Sequence, residues 1–263
     1  MKTIPDFYKR KAAGEPITMV TCYDAATAKI LNETSVDSIL VGDSCAMVVY
    51  GFESTIHATV EMMEAHTAAV RRGAPNKVII GDMPFLSYRD GIESSTNAVA
   101  KLMRAGANAL KVERCRGNIE LITRLVEGGV PVMGHLGMTP QSVNEFGGFK
   151  IQARNGDAAQ VLLDEALELE ESGCFSIVLE CIPSEVAERV TDALGIPTIG
   201  IGSGPETSGQ VLVLNDLLGL DSGFQPPFAR RYMDADQMIN RAVEGFCEDV
   251  RDRGYPAYGE YKP

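Results

Sequence analysis

Strand-length apolar runs alternate with longer segments of helical period along most of this 263-residue chain. Runs rich in Val, Ile and Leu, without polar alternation, predict parallel strands that are buried on both faces. Seven or eight such strand–helix units in about 250 residues favour a (β/α)8 TIM barrel over an open doubly wound sheet. Because the composition does not change abruptly along the chain, we expect one α/β domain over residues 1–263, with a short N-terminal helix and an irregular C-terminal tail.

The order of the predicted elements follows from these periods. The predicted strands are Ile17–Cys22, Ser38–Gly42, Lys77–Asp82, Ala109–Glu113, Pro131–His135, Phe175–Glu180, Pro197–Gly202 and a weak eighth strand around Leu218–Asp221. The predicted helices are Ile4–Lys11 (closing the barrel bottom), Ala25–Asn32, Thr59–Arg72, Ile92–Ala105, Ile119–Glu127, Ala158–Ser172, Ser184–Ala193, Gly209–Leu214 and Ala235–Arg251. The tail Tyr255–Pro263 is expected to be irregular.

The overall charge narrows the class of partner. The chain has 36 acidic and 24 basic residues, a net charge of −12, which disfavours binding to nucleic acid or to an anionic membrane surface. It has no apolar run long enough to span a bilayer and no visible signal peptide. Its six cysteines include no CxxC pair, so we expect free thiols in a cytoplasmic protein. With nucleic acid and membranes disfavoured, we expect its partners to be small molecules.

Residues able to do chemistry or bind a ligand stand at six predicted strand ends. They are Asp43 and Ser44, Asp82, Lys111 and Glu113, His135, Glu180, and the glycine-rich Gly202-Ser203-Gly204. In a parallel barrel these ends share one rim, where such enzymes place their active sites. A single Asp after a strand is commonly only a helix cap. Several carboxylates buried together without a cation are costly, however, so agreement across six ends favours a functional site.

The free-energy cost of burying several carboxylates together predicts a bound metal ion at this rim. Asp43 and Asp82 follow neighbouring strands, and two carboxylates without clustered His or Cys favour Mg²⁺ or a similar divalent ion. Glu113 on the next strand is expected to bind the metal or to orient a metal-bound water.

Two protein ligands leave room for a substrate that chelates the metal, such as a 2-oxo acid. The metal would then stabilise an enolate. We expect Lys111 and His135 to contact the substrate carboxylate or the developing negative charge. Glu180 is the expected base for a proton alpha to the carbonyl.

Several stretches together carry a family resemblance that runs roughly from Thr18 to Arg231. They include Thr21-Cys22-Tyr23-Asp24, Leu40-Val41-Gly42-Asp43-Ser44, Asp82-Met83-Pro84-Phe85, Gly134-His135-Leu136-Gly137-Met138-Thr139-Pro140-Gln141-Ser142, Leu179-Glu180-Cys181 and Gly200-Ile201-Gly202-Ser203-Gly204. With these stretches the chain resembles the ketopantoate hydroxymethyltransferases, whose fold belongs to the phosphoenolpyruvate mutase/isocitrate lyase-like superfamily.

The resemblance implies transfer of a hydroxymethyl group from 5,10-methylenetetrahydrofolate, as co-substrate, to 3-methyl-2-oxobutanoate. The product would be 2-dehydropantoate, a precursor of pantothenate and coenzyme A. It also implies Mg²⁺ dependence and a homo-oligomer, often a decamer. Matched by position, the metal site falls on Asp43, Asp82 and Glu113, the substrate contacts on Asp43, Ser44, Asp82, Lys111 and His135, and the general base on Glu180.

The chain departs from the family pattern near the rim. Ser44-Cys45-Ala46-Met47 stands where the family usually has Ser-Leu-Gly-Met, and Arg114-Cys115 stands where it usually has Gly-Gly. Three alternatives therefore stay open: a divergent paralogue, a lyase or mutase acting on another 2-oxo acid, and a non-catalytic barrel. The lyases carry a Lys-Lys-Cys-Gly-His-like segment that supplies a catalytic cysteine, and this chain has no match to it. The intact set of polar strand ends argues against a non-catalytic barrel.

Overall fold

A computed structural model describes residues 2–220, 226–257 and 259–260. The chain forms two compact units, Met1–Val213 and Leu214–Pro263. The first unit contains a closed barrel of eight parallel strands in sequential order, which confirms the predicted barrel class.

The strands of the barrel are four to six residues long. They are β1 (Ile17–Thr21), β2 (Ser38–Val41), β3 (Val78–Asp82), β4 (Ala109–Glu113), β5 (Val132–Gly137), β6 (Ser176–Glu180), β7 (Thr198–Ile201) and β8 (Gly209–Leu212). The helices are α1 (Pro5–Ala13), α2 (Ala25–Asn32), α3 (Cys45–Val48), α4 (Val60–Gly73), α5 (Gly91–Ala105), α6 (Ile119–Glu127), α7 (Val143–Phe146), α8 (Gly156–Glu171), α9 (Ser184–Ala193), α10 (Leu214–Leu218) and α11 (Ala235–Arg251).

The prediction for the last strand is wrong. The segment expected to be helical, Gly209–Leu214, begins with β8, and Leu218, where the eighth strand was expected, is the last residue of α10. β8 has only four residues, and its burial alternates, so it lacks a continuous apolar run. Its pairing with β1 and β7 makes it a strand, and that pairing is not visible locally.

Side chains at every second strand position face the barrel interior. On β3, Val78 and Ile80 belong to the buried core, and Asp82 continues the same column. On β4, Ala109 is the core residue below Lys111. The same alternation therefore produces an apolar interior at the amino ends of the strands and a polar layer at their carboxyl ends.

Helix α1 closes the amino end of the barrel, as predicted. Phe7 is fully buried within the barrel core, and its ring meets the Phe175 ring edge to face at 5.1 Å. The side chain of Phe7 thus fills the end of the barrel opposite to the polar layer.

Strands β5 and β6 approach each other closely near their carboxyl ends. Gly137 has φ +90°, and a Cβ atom at this position would stand 2.3 Å from the carbonyl oxygen of Glu180. Only glycine fits both this backbone conformation and this separation. Gly137 therefore allows the end of β6, which carries the Glu180 side chain, to lie directly beside β5.

The second unit holds α10 and α11. Residues 255–257 and 259–260 contain no helix or strand, in agreement with the predicted irregular tail; residues 258 and 261–263 of that tail, and Asp221 of the expected strand, lie outside the described residues. Among the described helices, none combines the length and apolar character that crossing a membrane requires. The prediction of a single domain over 1–263 stays a prediction.

Candidate active site

Six of the seven predicted site residues meet in one layer at the carboxyl end of the barrel. Strand register explains how they meet, because Asp82 pairs with Lys111 and Glu113 pairs with His135 across neighbouring strands. Glu180 pairs with Gly137 at the next interface. The residues in this layer are Asp43, Asp82, Lys111, Glu113, His135 and Glu180.

Lys111 is the cation at the centre of this layer. Its Nζ lies 3.2 Å from Asp82 Oδ1 and 3.9 Å from Glu113 Oε1. Burial by itself lowers the pKa of Lys111, but the carboxylates of Asp82, Glu113 and Asp43 outweigh it and raise that pKa above its ordinary value. Lys111 is therefore charged at neutral pH.

The carboxylates outnumber this cation. Burial raises the pKa of Asp43 well above its usual range, and the nearby charges of Asp82 and Glu113 raise it further. Burial also raises the pKa of Asp82, although Lys111 opposes this shift. Burial raises the pKa of Glu113 to about 7, again against the influence of Lys111. The layer thus has more buried negative charge than one lysine can balance.

His135 connects the lysine to Glu180. Its Nδ1 lies 3.1 Å from Lys111 Nζ, and its Nε2 lies 3.2 Å from Glu180 Oε2. Burial and the Lys111 charge lower the pKa of His135, so the ring is neutral. The same Nδ1 lies 3.3 Å from Glu113 Oε1, so the ring stands between the ammonium group of Lys111 and two carboxyl groups.

Ser44 stands at the edge of this layer. It follows Asp43, and its hydroxyl is 2.9 Å from the hydroxyl of the buried Tyr23. The structure places Ser44 next to the layer because it follows Asp43 in the chain, and its side-chain hydroxyl contacts Tyr23. Tyr23 was not predicted as a site residue, although it lies in one of the stretches that carry the family resemblance.

Gln141 and Tyr88 also contact the site, although the sequence analysis did not predict them as site residues. Gln141 follows β5 in a 3-10 turn, Pro140–Ser142, and its side chain donates to Asp43 Oδ2 at 2.8 Å. Tyr88 donates to Gln141 Oε1 at 2.6 Å. Neither residue lies on a strand, so the strand-end pattern could not identify them. The Thr139-Pro140-Gln141-Ser142 stretch was the available signal for the first.

Comparison with known proteins identifies the family. A model of the family described as "Ketopantoate hydroxymethyltransferase" matches residues 1–258. The chain belongs to the ketopantoate hydroxymethyltransferase family. Its free cysteines agree with the predicted state of the thiols.

Curated relatives of this family member carry one enzyme name. A protein of Coxiella burnetii named 3-methyl-2-oxobutanoate hydroxymethyltransferase is 52% identical over 253 residues, which cover 96% of this chain and 95% of the relative. A protein of the same name from Bdellovibrio bacteriovorus is 49% identical, with 99% of both chains covered. One from Francisella tularensis is 48% identical, with 97% of both covered.

Solved structures share the barrel fold of this ketopantoate hydroxymethyltransferase family member. A 2,3-dimethylmalate lyase of the PEP mutase/isocitrate lyase superfamily aligns with a TM-score of 0.62 at 14% identity, covering 100% of this chain and 93% of that chain. A phosphonopyruvate hydrolase aligns with a TM-score of 0.64 at 12% identity, covering 100% and 92%. At these identities the likeness concerns the fold alone.

The donor set of this ketopantoate hydroxymethyltransferase family member suits a hard divalent cation. Within the described part of the chain, Asp82 Oδ1 and Glu113 Oε1 are buried without a hydrogen bond, although Lys111 Nζ lies within ion-pair distance of both and His135 Nδ1 lies 3.3 Å from the second. Among the described residues, no three His, Cys, Asp or Glu side chains form a group that could hold a metal. The fit is therefore to a cation that takes two protein carboxylates and completes its shell with other oxygens.

Glu113 should make the metal-free protein less stable as the pH rises. The pKa of Glu113 in the folded protein, about 7, lies above the ordinary 4.5. Its contribution to the free energy of unfolding is therefore fully present below pH 4.5 and is lost as the pH rises through about 7. Glu113→Gln should remove this loss, about 3 kcal/mol between pH 4.5 and pH 8. Denaturant unfolding in the presence of a chelator measures it. The exposed Glu120→Gln is the control, and equal pH slopes for wild type and Glu113→Gln would show that the group does not titrate this way.

Proposed function

We propose that this protein transfers a hydroxymethyl group to 3-methyl-2-oxobutanoate. The one-carbon donor is 5,10-methylenetetrahydrofolate, one water is consumed, and the products are 2-dehydropantoate and tetrahydrofolate. The reaction supplies pantothenate and coenzyme A synthesis. The observation that carries this proposal is the buried layer of acids, lysine and histidine, found in a chain about half identical to relatives with that enzyme name.

The new carbon–carbon bond forms at C3 of the oxo acid, so the C3 proton must leave first. Glu180 is suited to accept it, because its side chain is 16% exposed, against 3% for Asp82 and 2% for Glu113. It therefore opens towards a substrate more than the other acids do. His135 Nε2 lies 3.2 Å from Glu180 Oε2, so the neutral ring stands beside the proposed base.

Asp43 and Asp82 would hold a divalent cation, with Glu113 beside them. When bound, the cation would withdraw electron density from the keto group and so acidify C3. Lys111 provides a fixed positive charge for the substrate carboxylate or for negative charge that develops on the keto oxygen. Ser44, at the edge of the layer, is suited to a hydrogen bond with the substrate.

The wild-type protein provides the test. With Mg²⁺ and without folate, it should exchange the C3 proton of 3-methyl-2-oxobutanoate for deuterium, followed by proton NMR. Product should form only when methylenetetrahydrofolate is added, and a chelator should stop both reactions. A panel of 2-oxo acids separates the proposal from a divergent paralogue or a lyase. If no proton is exchanged with Mg²⁺ present, the proposed role of this site is wrong.

We further propose that the enzyme works in the cytoplasm as a homo-oligomer, of the decamer type that the family resemblance implies. Helix α11 supports self-association, because it carries large apolar side chains that are 46% to 54% exposed. These include Met238, Ile239, Val243, Phe246 and Val250. Light scattering gives the mass in solution, which for a decamer is ten times 28.3 kDa. A monomer mass would contradict the assembly.

A further inference from the structure

Gln141 is a buried amide at the centre of the polar layer. Its side chain is 5% exposed, and it enters from the turn after β5. A buried primary amide needs partners for two donors and one acceptor, and each unmet one is costly. The contacts of Gln141 therefore show what the residue holds in place.

The side-chain nitrogen of Gln141 joins two other segments. Nε2 donates to Asp43 Oδ2 at 2.8 Å and to the carbonyl oxygen of Met83 at 2.9 Å. The Met83 carbonyl oxygen can only accept, so it requires the nitrogen at this end of the amide. Oε1 at the other end accepts from the Tyr88 hydroxyl at 2.6 Å. The orientation of the amide is thus determined by its three contacts.

The backbone of Gln141 adds a fourth contact. Its N–H donates to Glu113 Oε2 at 3.1 Å. One residue therefore holds a carboxylate that follows β2 and another at the end of β4. These are Asp43, one of the two acids proposed to hold the cation, and Glu113, the acid proposed to lie beside it.

We infer that Gln141 is a positioning residue for the cation site. The inference rests on the proposed function, because it concerns the metal that the proposed reaction uses. Gln141 binds one oxygen of Asp43 and so turns the other towards the cation, and it aligns Glu113 through its backbone. It does not itself ligate the metal or touch the substrate. Partners that orient metal ligands in this way typically change metal affinity by about 10- to 100-fold when they are removed.

A purely structural amide would behave differently. If Gln141 only joined the loop after β5 to the loop after β3, its removal would lower the melting temperature and leave metal affinity unchanged. Metal affinity therefore distinguishes the two roles, and it can be measured without turnover.

Gln141→Met is the decisive variant, because it keeps the length of the side chain and removes both donors. Mn²⁺ binding to the metal-free protein, measured by calorimetry, should weaken by about 10- to 100-fold. Tyr88→Phe keeps both donors and releases only the far end of the amide, so it should weaken Mn²⁺ binding by about two- to five-fold. Gln160→Met, at an exposed position on α8, is the matched control and should bind as the wild type does.

The outcomes separate this inference from the proposed function. A folded Gln141→Met protein that binds Mn²⁺ within two-fold of the wild type overturns the positioning role. Should that variant fail to fold, Tyr88→Phe decides, and an unchanged affinity overturns the role in the same way. A wild type that binds no divalent cation instead contradicts the metal site of the proposed function, whatever the variants do.

Discussion

Glu180→Gln is expected to stop deuterium exchange at C3 of 3-methyl-2-oxobutanoate while substrate binding stays nearly intact. An amide has almost the same shape as the carboxylate but cannot accept the proton, and a positioned general base contributes about 10²- to 10⁴-fold in rate. Exchange is followed by NMR with saturating Mg²⁺, and binding by calorimetry with the same oxo acid.

Glu185→Gln is the control for this experiment. Glu185 is an exposed acid on α9, so its replacement changes the net charge equally but leaves the site unaltered. Exchange by Glu180→Gln at the wild-type rate would exclude Glu180 as the base. Loss of exchange together with loss of binding would instead assign Glu180 to substrate binding.

Asp43→Asn is expected to have two opposite effects. It should weaken Mg²⁺ binding by at least the roughly 10- to 100-fold that loss of an orienting partner costs, and abolish exchange at ordinary Mg²⁺ concentrations, because it replaces a charged oxygen ligand by a neutral one. The metal-free variant should nevertheless melt at a higher temperature than the wild type at pH 8. Burial and neighbouring carboxylates raise the pKa of Asp43, so its ionised form is unfavourable in the folded protein at that pH.

The asparagine can still accept the hydrogen bond from Gln141, so the local packing is retained. Asp157→Asn, at an exposed position on α8, controls for the change in net charge. Calorimetric melting in a chelator and a Mg²⁺ titration of exchange measure the two effects. An unchanged Mg²⁺ requirement together with a lower melting temperature would show that Asp43 has a stabilising role and not a ligand role.

The fold could be predicted wherever an element carries its own signal. β4 and α6 have the predicted bounds, because a short apolar strand and an amphipathic helix follow one another with clear breaks. β8 could not be predicted, since its strand conformation depends on pairing with β1 and β7.

The site residues at the strand ends could be predicted, and the site residues farther along the loops could not. Strand-end side chains such as Asp82 and Lys111 could be predicted to converge, because strand alternation and register bring them together. The family assignment confirms the resemblance that was drawn from the motifs. Gln141 could not be assigned a role, because a loop residue reaches Asp43 only through the tertiary fold. The individual roles of the site residues stay proposals until the variants are measured.

The Phe7 side chain that fills the amino end of the barrel has a consequence for the order of events during turnover. Because that end is filled by packed side chains, the two reactants and two products of the proposed reaction must use the opening at the carboxyl end of the barrel. A small oxo acid that sits deep against the polar layer would be covered by a bulky folate arriving after it. The cycle should therefore run in sequence, with the oxo acid binding before the folate and tetrahydrofolate departing before 2-dehydropantoate.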